Sequence, residues 1–310
     1  MKRIHCLGVV VLDALSGPLS RYPEQCGHTQ VVTKNVRFAA GGGAANTASA
    51  LARMGLAAGV FSKLGDDFAG RFLLDELRRS GADPAGICVS PTEASPFTFV
   101  AIHPSGERTF IHTPGANLTL SVSDLDMGRL LSCDFLVYQD LWVKPQLDGE
   151  AGAAILAEAR RRGIVTVLDE CYGLGPDRRQ MEAMLPQCDY FVPSLDDMRV
   201  VYSGASVDQI ADTLLSGGAR TVVLKMGAEG CMVASAGVRR HVPAFPTEVV
   251  DSTGAGDCWD AGFVAALAMG EDVWAAARLG NAAASFCIRA VGGSAGVPSY
   301  AEVRQLAMIA

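Results

Sequence analysis

Short apolar runs alternate along this chain with amphipathic stretches of helix length, and that alternation limits the folds available to it. The apolar runs include Ile4–Leu12, Ala57–Leu64 and Ile164–Leu168, and the amphipathic stretches include Phe68–Ser80 and Gly149–Arg162. Strands that alternate with helices build a largely parallel sheet that is covered by helices. The sequence therefore predicts an α/β fold with a mostly parallel central sheet.

Two segments interrupt this alternation. Gln30–Phe38 and Phe97–His112 have the pattern of exposed antiparallel strands, and Pro104–Glu107 supplies a hairpin turn in the second. We predict that segments 14–38 and 97–112 form a small β-sheet lid inserted in a single domain of residues 1–310. A small open sheet leaves the backbone groups of its edge strands unpaired, and a second copy of the chain can pair with them. We therefore also predict a homodimer through this lid.

Composition excludes several classes of protein. The 310 residues are 49% hydrophobic, which provides a large core and argues against disorder. The net charge of -7, with no long run of either sign, argues against a nucleic-acid surface. No apolar run approaches the ~18–20 residues of a membrane span, and Asp13 ends Ile4–Leu12 too early for a secretory signal. Nine cysteines without a C-x-x-C pair indicate a reducing compartment, so we expect a cytoplasmic protein without zinc.

The strongest motif is a glycine turn at the start of a helix. It reads Asp251-Ser252-Thr253-Gly254-Ala255-Gly256-Asp257, and the helical run Cys258–Met269 follows at once. Backbone amides at such a turn approach an anion closely, and the helix dipole favours negative charge there. Asp257 is then placed to take a proton from an attacking hydroxyl, while the amides of Gly254, Ala255 and Gly256 hold a transferred phosphoryl group. The alternative is an aspartate that only favours the helix dipole.

A second glycine cluster, Gly41 to Asn46, leads into the helical stretch Thr47–Met54. Its glycines permit close approach of a ligand to the backbone, and the Asn46 amide both donates and accepts hydrogen bonds, which suits a polyhydroxy compound. A tight turn with a local cap is the alternative. The cluster is no dinucleotide fingerprint, because Asn46 occupies the third glycine position. Gly292–Gly296 matches G-x-S-x-G, but no histidine follows it, so the match is by chance.

Together these motifs resemble the signatures of the ribokinase-like family of sugar kinases, also called the PfkB family. Asp251–Asp257 resembles D-T-x-G-A-G-D and Gly41–Asn46 resembles G-G-x-x-x-N, in the same order and at a similar separation. Gly65–Gly70, Pro114–Asn117 and Lys225–Gly230 match as well, so the resemblance runs from about residue 4 to 305. It implies a three-layer α/β/α fold with a small β-sheet lid, and ATP- and Mg²⁺-dependent phosphorylation of a hydroxyl on a sugar or sugar-like molecule.

The resemblance also implies roles for individual residues. Asp257 matches the catalytic base, and Gly254, Ala255 and Gly256 match the anion hole. The residues that match the sugar-binding positions are Asp13, Gly42, Gly43 and Asn46. The residues that match nucleotide-binding positions are Ser194, Lys225, Gly227, Gly230, Gly256 and Asn281.

Two departures from the family concern cations. The family's N-x-x-E motif, which orders Mg²⁺ and water near the phosphates, appears here as Ser194-Leu195-Asp196-Asp197. Both of its polar side chains are shorter, and Asp197 keeps the charge for an indirect role at Mg²⁺. Asp251 and Thr253 match positions that hold a monovalent cation, which implies a K⁺ site, but glycine replaces a helpful serine within Gly292–Gly296.

The residues that would determine the substrate lie in less regular segments of the sequence. Asp140 and Asp169 each follow a strand, where ligands of open α/β sheets gather, and they favour a neutral, hydroxyl-rich substrate. Arg108, in the second lid segment, would instead favour a sugar acid if it pairs with a carboxylate; otherwise it is a solvated surface charge. Two further readings stay open: a nucleoside kinase, and a catalytically silent sugar or nucleotide sensor of the same fold.

Overall fold

The computed structural model describes residues 2–17, 19, 31–33, 35–103, 108–172, 175–235 and 237–309. Within them the chain forms thirteen strands and ten α-helices, none of them long and apolar enough to cross a bilayer. The strands are β1 Arg3–Leu7, β2 Val11–Ser16, β3 Val36–Gly41, β4 Ala57–Gly65, β5 Asp83–Ser90, β6 Phe97–Ile102, β7 Arg108–Thr113, β8 Phe135–Leu141, β9 Val165–Glu170, β10 Tyr190–Phe191, β11 Thr221–Lys225, β12 Cys231–Ser235 and β13 Val238–Val242. The helices are α1 Gly43–Arg53, α2 Phe68–Ser80, α3 Met127–Leu130, α4 Glu150–Arg161, α5 Arg178–Met184, α6 Leu195–Val201, α7 Val207–Ser216, α8 Ala255–Ala268, α9 Val273–Cys287 and α10 Tyr300–Met308.

A nine-stranded sheet divides the molecule into three layers. Its order is β13-β12-β11-β10-β9-β8-β1-β4-β5, and every pair from β11 to β5 is parallel. Alternate side chains enter different cores: Val137 and Val167 pack with α1, α8 and α9, whereas Leu136 and Leu168 pack with α4 and α7. Both faces of the sheet are therefore buried, as parallel sheets require. The predicted mostly parallel sheet covered by helices is confirmed.

A separate four-stranded sheet has the order β3-β2-β6-β7. The predicted segment Phe97–His112 forms the antiparallel pair β6 and β7 of this sheet. In the first predicted segment, the strand is β3, which begins only at Val36. The predicted turn Pro104–Glu107 and most of segment 14–38 lie outside the described residues.

The prediction of one continuous strand over Ile4–Leu12 is wrong. The chain leaves the large sheet after Leu7, and Val11 begins β2, which pairs with β6 in the small sheet. The break lies at Gly8, where an added Cβ would stand 2.6 Å from a carboxylate oxygen of Asp140. The next amide, that of Val9, donates to the same carboxylate at 2.7 Å. Strands β1 and β2 thus belong to different sheets, and the break between them lies beside Asp140 near the end of β8.

Small residues fix the position of α8. An added Cβ on Gly262 would lie 2.7 Å from the carbonyl oxygen of Leu279, and one on Gly280 would lie 2.6 Å from the indole of Trp259. The backbones of α8 and α9 therefore approach closely, and Asn281 of α9 accepts a hydrogen bond from the Trp259 indole at 2.7 Å. This packing holds the first turn of α8 at the carboxyl edge of the large sheet, where open α/β folds place their ligands.

Candidate active site

The glycine turn before α8 has the conformation that its sequence predicts. Gly254 is left-handed, with φ 74° and ψ 9°, and an added Cβ would lie 2.4 Å from the carbonyl oxygen of Gly293. Glycine is required there both for the backbone angle and for the space. No side chain among the described residues caps this end of α8. The first amides of the helix are therefore suited to an anion.

Asp257, in the first turn of α8, meets the second glycine cluster. The Asn46 amide nitrogen donates to the Asp257 carboxylate at 2.7 Å, and the Thr47 hydroxyl donates to the Asp257 carbonyl oxygen at 3.1 Å. Gly293 packs so tightly on Asn46 that an added Cβ would stand 2.2 Å from its amide oxygen. Two motifs that are 211 residues apart in sequence thus form one site.

The surroundings of Asp257 adapt its carboxyl to proton transfer. Burial, followed by the nearby charge of Asp140, raises the pKa of Asp257 to about 7, although the Asn46 hydrogen bond and the charge of Lys225 act in the opposite direction. A carboxylate with a pKa near 7 is ionised in an appreciable fraction of molecules at neutral pH and is a stronger base than an exposed aspartate.

Asp140 holds the second glycine cluster in place. It lies at the end of β8 with φ 59°, and its two carboxylate oxygens accept from the amides of Val9 at 2.7 Å and Gly43 at 3.1 Å. Gly42, with φ 92°, leaves no room for a Cβ, which would stand 2.4 Å from the carbonyl oxygen of Val9. Asp140 thus orients the turn that carries Asn46, and its predicted contact to substrate stays a prediction.

A buried lysine supports the turn from behind. Lys144 donates to the carbonyl oxygens of Gln139 at 2.6 Å and Asp140 at 2.5 Å, and its ammonium lies 3.3 Å from the Asp148 carboxylate. This residue was not predicted, because nothing in the sequence around it separates a buried lysine from a surface one.

Lys225, Asp169 and Asp260 form a second charged group behind the first turn of α8. The Lys225 ammonium lies 2.8 Å from Asp169 and 3.2 Å from Asp260, and 3.5 Å from the position of an added Cβ on Gly256. Burial and the Asp169 charge raise the pKa of Asp260 well above its usual range. Burial alone would lower the pKa of Lys225, but the two carboxylates raise it. Asp169, predicted as a substrate ligand, is thus ion-paired within the protein.

The segment in place of the N-x-x-E motif lies against the end of β9. The Ser194 amide donates to one carboxylate oxygen of Glu170 at 2.8 Å, and Asp197 lies in the first turn of α6, which begins directly after Ser194. The second carboxylate oxygen of Glu170 is buried and receives no hydrogen bond from the described residues. Burial and the charges of Asp169 and Asp197 raise the pKa of Glu170 well above its usual range.

These carboxylates have the chemistry that Mg²⁺ prefers. Mg²⁺ takes oxygen ligands and usually keeps several waters, using only one or two protein carboxylates together with substrate phosphates. Among the described residues no group of three or more His, Cys, Asp or Glu side chains is arranged to hold a metal ion by itself. The unsatisfied oxygen of Glu170 beside Asp197 fits an ion that arrives with phosphates.

Asp13 lies on β2, opposite Thr98 of β6, and faces the second glycine cluster. An added Cβ on Gly41 would stand 2.2 Å from its carboxylate oxygen, so the backbone of the cluster touches this side chain. Burial raises the pKa of Asp13 to about 6. The small sheet therefore delivers an acidic side chain to the Asn46 turn. Arg108 begins β7, and its side chain lies outside the described residues.

The predicted cation and nucleotide positions surround the same helix start. The buried Asp251 carboxylate accepts from the amides of Thr253 at 2.8 Å and Gly292 at 3.0 Å, which ties the anion turn to the Gly292–Gly296 loop. The Asn281 amide donates to the carbonyl oxygens of Val242 and Pro243, each at 3.0 Å, and so anchors the chain after β13. Predicted roles in K⁺ and nucleotide binding stay predictions for these residues.

The predicted nucleotide loop is a tight turn between β11 and β12. The Met226 amide donates to the carbonyl oxygen of Gly230 at 2.8 Å. Gly227 and Gly230 have φ 56° and 91°, and an added Cβ on Gly230 would stand 2.1 Å from the carbonyl oxygen of Val242. The conformation of this turn therefore requires glycine at both positions, in addition to the predicted role in nucleotide binding.

Two of the buried acids were missed as site residues. Asp260 is a charged residue in an otherwise apolar helix, three residues after Asp257, and that isolation was a usable signal. Glu170 follows Asp169 directly in sequence, but its position near the start of α6 depends on the parallel neighbours β9 and β10, which the sequence alone does not order.

Comparison with known proteins agrees with this geometry. Residues 7–299 match the pfkB family carbohydrate kinase family. A ribokinase of Staphylococcus aureus is 27% identical over 292 residues, 91% of this chain and 92% of the relative. Arabidopsis thaliana ribokinase, solved with ribose and ATP, superposes with a TM-score of 0.85 at 22% identity over 100% of this chain and 99% of that one. An E. coli protein described as a candidate ribokinase II, solved with ATP and Mg²⁺, gives 0.83 at 23% identity over 98% of each chain.

The family model matches most of the chain, and the solved structures share its overall fold. The predicted family resemblance and the predicted fold are therefore confirmed. The chain belongs to the pfkB family of carbohydrate kinases.

Proposed function

We propose that this protein transfers the γ-phosphoryl group of ATP to a hydroxyl of a monosaccharide or sugar acid. The observation that carries the proposal is the 2.7 Å hydrogen bond from Asn46 to Asp257. It joins a turn suited to sugar hydroxyls to a carboxylate at an uncapped helix start suited to phosphate. Phosphoryl transfer needs an acceptor hydroxyl and a phosphate side by side, and this hydrogen bond links the two groups that would hold them.

Asp257 acts as the general base in this proposal. Its carboxylate accepts the proton of the attacking hydroxyl, and Asn46 keeps that carboxylate oriented. The amides of Gly254, Ala255 and Gly256 stabilise the charge that develops on the transferred phosphoryl group, and the dipole of α8 acts in the same direction. Positioning and electrostatics carry most of the catalysis in such reactions.

The cofactors of the proposal are ATP and Mg²⁺. ATP and Mg²⁺ occur together in the E. coli structure, which supports both for this family. Mg²⁺, when bound, neutralises charge on the phosphates. In this chain Asp197 and Glu170 would hold it, while Ser194, Lys225, Gly227, Gly230 and Asn281 are the proposed nucleotide contacts. Asp251 and Thr253 are the proposed K⁺ position.

Sugar recognition is assigned to Asp13, Gly42, Gly43 and Asn46. Their carboxylate, amide and backbone groups donate to and accept from vicinal hydroxyls, which matches the ribose in the Arabidopsis ribokinase structure. A sugar acid is the substrate if Arg108 pairs with its carboxylate.

The experiment is a panel of acceptors with product identification. The purified protein is incubated with ATP and Mg²⁺ and with sugars, sugar acids and nucleosides in parallel, and phosphorylated products are identified by mass spectrometry and ³¹P NMR. We expect a phosphorylated monosaccharide or sugar acid at the highest kcat/KM. A nucleoside as the best acceptor would replace the sugar assignment. Hydrolysis of ATP without phosphorylation of any acceptor in the panel would contradict the proposed class of enzyme.

A further inference from the structure

Lys144 is a charged residue without exposed surface. Its ammonium donates to the carbonyl oxygens of Gln139 at 2.6 Å and Asp140 at 2.5 Å, and it lies 4.7 Å from the centre of the Tyr138 ring. Removing an ammonium from water is costly unless polar groups replace its hydration. The two carbonyl oxygens compensate that cost, and they receive strong charge-assisted hydrogen bonds in return.

These carbonyl oxygens lie where β8 leaves the large sheet. The register between β8 and β9 shifts between Tyr138 and Leu141, so Gln139 and Asp140 lie outside that ladder, and pairing with β1 ends at Tyr138. Two non-glycine residues of the turn, Asp140 and Trp142, have positive φ values of 59° and 79°. Such a backbone is strained and persists only where the surrounding contacts hold it. The ammonium supplies two of those contacts.

The nearby Asp148 carboxylate is not the closest partner of this ammonium. It lies 3.3 Å from the ammonium, farther than either carbonyl oxygen. It already accepts from the Tyr138 hydroxyl at 2.8 Å and from the amides of Trp142 at 3.0 Å and Lys144 at 2.8 Å. Asp148 therefore balances the charge of the lysine, whereas the short hydrogen bonds of the lysine are made to the turn.

The turn connects the two segments that carry the candidate sugar site. One carboxylate oxygen of Asp140 accepts from the Val9 amide, just before the strand β2 that carries Asp13. The other accepts from the Gly43 amide at the start of α1, the helix that carries Asn46. A shift of the turn would therefore move Asp13 and Asn46 relative to each other. Misplacing binding groups by about 1 Å can cost about 10²-fold in rate.

We propose that Lys144 is a positioning residue for the phosphoryl acceptor. It holds residues 139–142 in the conformation that directs the Asp140 carboxylate to the Val9 and Gly43 amides, and it thereby sets the affinity for the acceptor without touching it. The inference rests on the proposed function, because it concerns the sugar site proposed there. The proposed nucleotide contacts lie on other elements, so ATP binding does not depend on this lysine.

The test compares two neutral replacements of similar size in one background. Asp148→Asn removes a carboxylate that would otherwise stay buried without its cation. In that background, Lys144→Met removes every donor to the turn, whereas Lys144→Gln keeps an amide donor. Binding of the acceptor with the highest kcat/KM in the panel is measured by isothermal titration calorimetry without nucleotide. Steady-state assays with ATP and Mg²⁺ give kcat and both KM values, and urea unfolding verifies that each variant is folded.

The expected losses are confined to the acceptor. Lys144→Met/Asp148→Asn should bind the acceptor about 10- to 100-fold more weakly than Asp148→Asn and show a matching rise in the acceptor KM. The KM for ATP should be unchanged. Lys144→Gln/Asp148→Asn should recover part of the lost affinity, because its amide still donates to the turn. Asp148→Asn alone should bind the acceptor nearly as wild type does, because Lys144 still binds both carbonyl oxygens.

The outcomes distinguish this inference from the proposed function. Acceptor affinity in both double variants that equals that of Asp148→Asn would overturn the inference and leave the kinase assignment intact. Equal losses for acceptor and ATP would also overturn it, since they indicate a general disturbance of the fold. A wild-type protein that neither binds nor phosphorylates any acceptor in the panel would overturn both.

Discussion

Asp257 is the residue in which the fold and the proposed chemistry meet. Its position at the uncapped start of α8 favours an anion, whereas burial and the charge of Asp140 oppose its ionisation. The result is a carboxyl whose pKa lies at about 7, where an ordinary aspartate is fully ionised. Such a group is protonated in an appreciable fraction of molecules at neutral pH, whereas an ordinary surface aspartate is almost fully ionised.

The pKa of Asp257 predicts the pH dependence of the reaction. The base must be ionised to accept a proton, so kcat/KM should fall as the pH drops below about 7 and reach a plateau above it. Asp13, with a pKa raised to about 6, titrates in a neighbouring range. The midpoint near 7 should therefore persist in Asp13→Asn, although KM for the sugar should rise. A profile that is flat from pH 5.5 to 9 would contradict the role of Asp257.

At the scale of elements, the first turn of α8 depends on the space around Gly254. Gly254→Ala introduces a Cβ 2.4 Å from the Gly293 carbonyl oxygen at φ 74°, so the backbone must shift and the amides lose their orientation. We expect kcat to fall by about 10²- to 10³-fold, the typical loss for an anion-hole donor.

Gly270, just beyond the other end of α8, provides the matched control. It has φ 89°, but an added Cβ meets nothing within 4 Å. Gly270→Ala should cost about 1 kcal/mol of stability from backbone strain and leave kcat near wild type. Both kcat values are measured in steady-state assays. Equal losses of kcat in the two variants would contradict a specific role of the Gly254 turn in catalysis.

The charged group behind α8 predicts a stability effect. Lys225→Met leaves the Asp169 and Asp260 carboxyls buried without their cation, which typically costs about 3–5 kcal/mol. Lys2 pairs with Asp134 at the surface, with 55% of the lysine side chain exposed, so Lys2→Met should cost less than about 1 kcal/mol. Urea unfolding at neutral pH measures both. A Lys225→Met variant as stable as Lys2→Met would mean that Asp169 and Asp260 need no cation.

At the scale of the whole molecule, the small sheet presents an apolar edge. Strand β7 is an edge strand, and it exposes Phe110 and Ile111 at 59% and 57%. Exposed apolar side chains on an open edge favour pairing with a second copy. The homodimer stays a prediction: light scattering should give a dimer for wild type and a monomer for Phe110→Ser/Ile111→Ser. A wild-type monomer at micromolar concentration would contradict it.

Periodicity was enough to predict the layers of the molecule, because strands and helices bury their side chains at different spacings. Local glycine chemistry likewise predicted the Gly254 turn and the Asn46 turn. The run Ile4–Leu12 was wrongly predicted to form one strand, because both of its halves are apolar. The break between them is at Gly8, whose close contact with Asp140 cannot be seen in the sequence. Glu170 and Lys144 could not be assigned in advance, since their partners are set by strand order and by a turn with positive φ at Asp140.

The most direct test of the account is the rate of phosphoryl transfer in Asp257→Asn. The best acceptor from the panel is used under single-turnover conditions, so that chemistry rather than product release is observed. We expect the rate to fall by about 10²- to 10⁴-fold, while nucleotide and sugar bind as in wild type, because the amide is nearly isosteric and the helix amides are unchanged. A folded Asp257→Asn protein that transfers the phosphoryl group at nearly the wild-type rate would show that the base lies elsewhere.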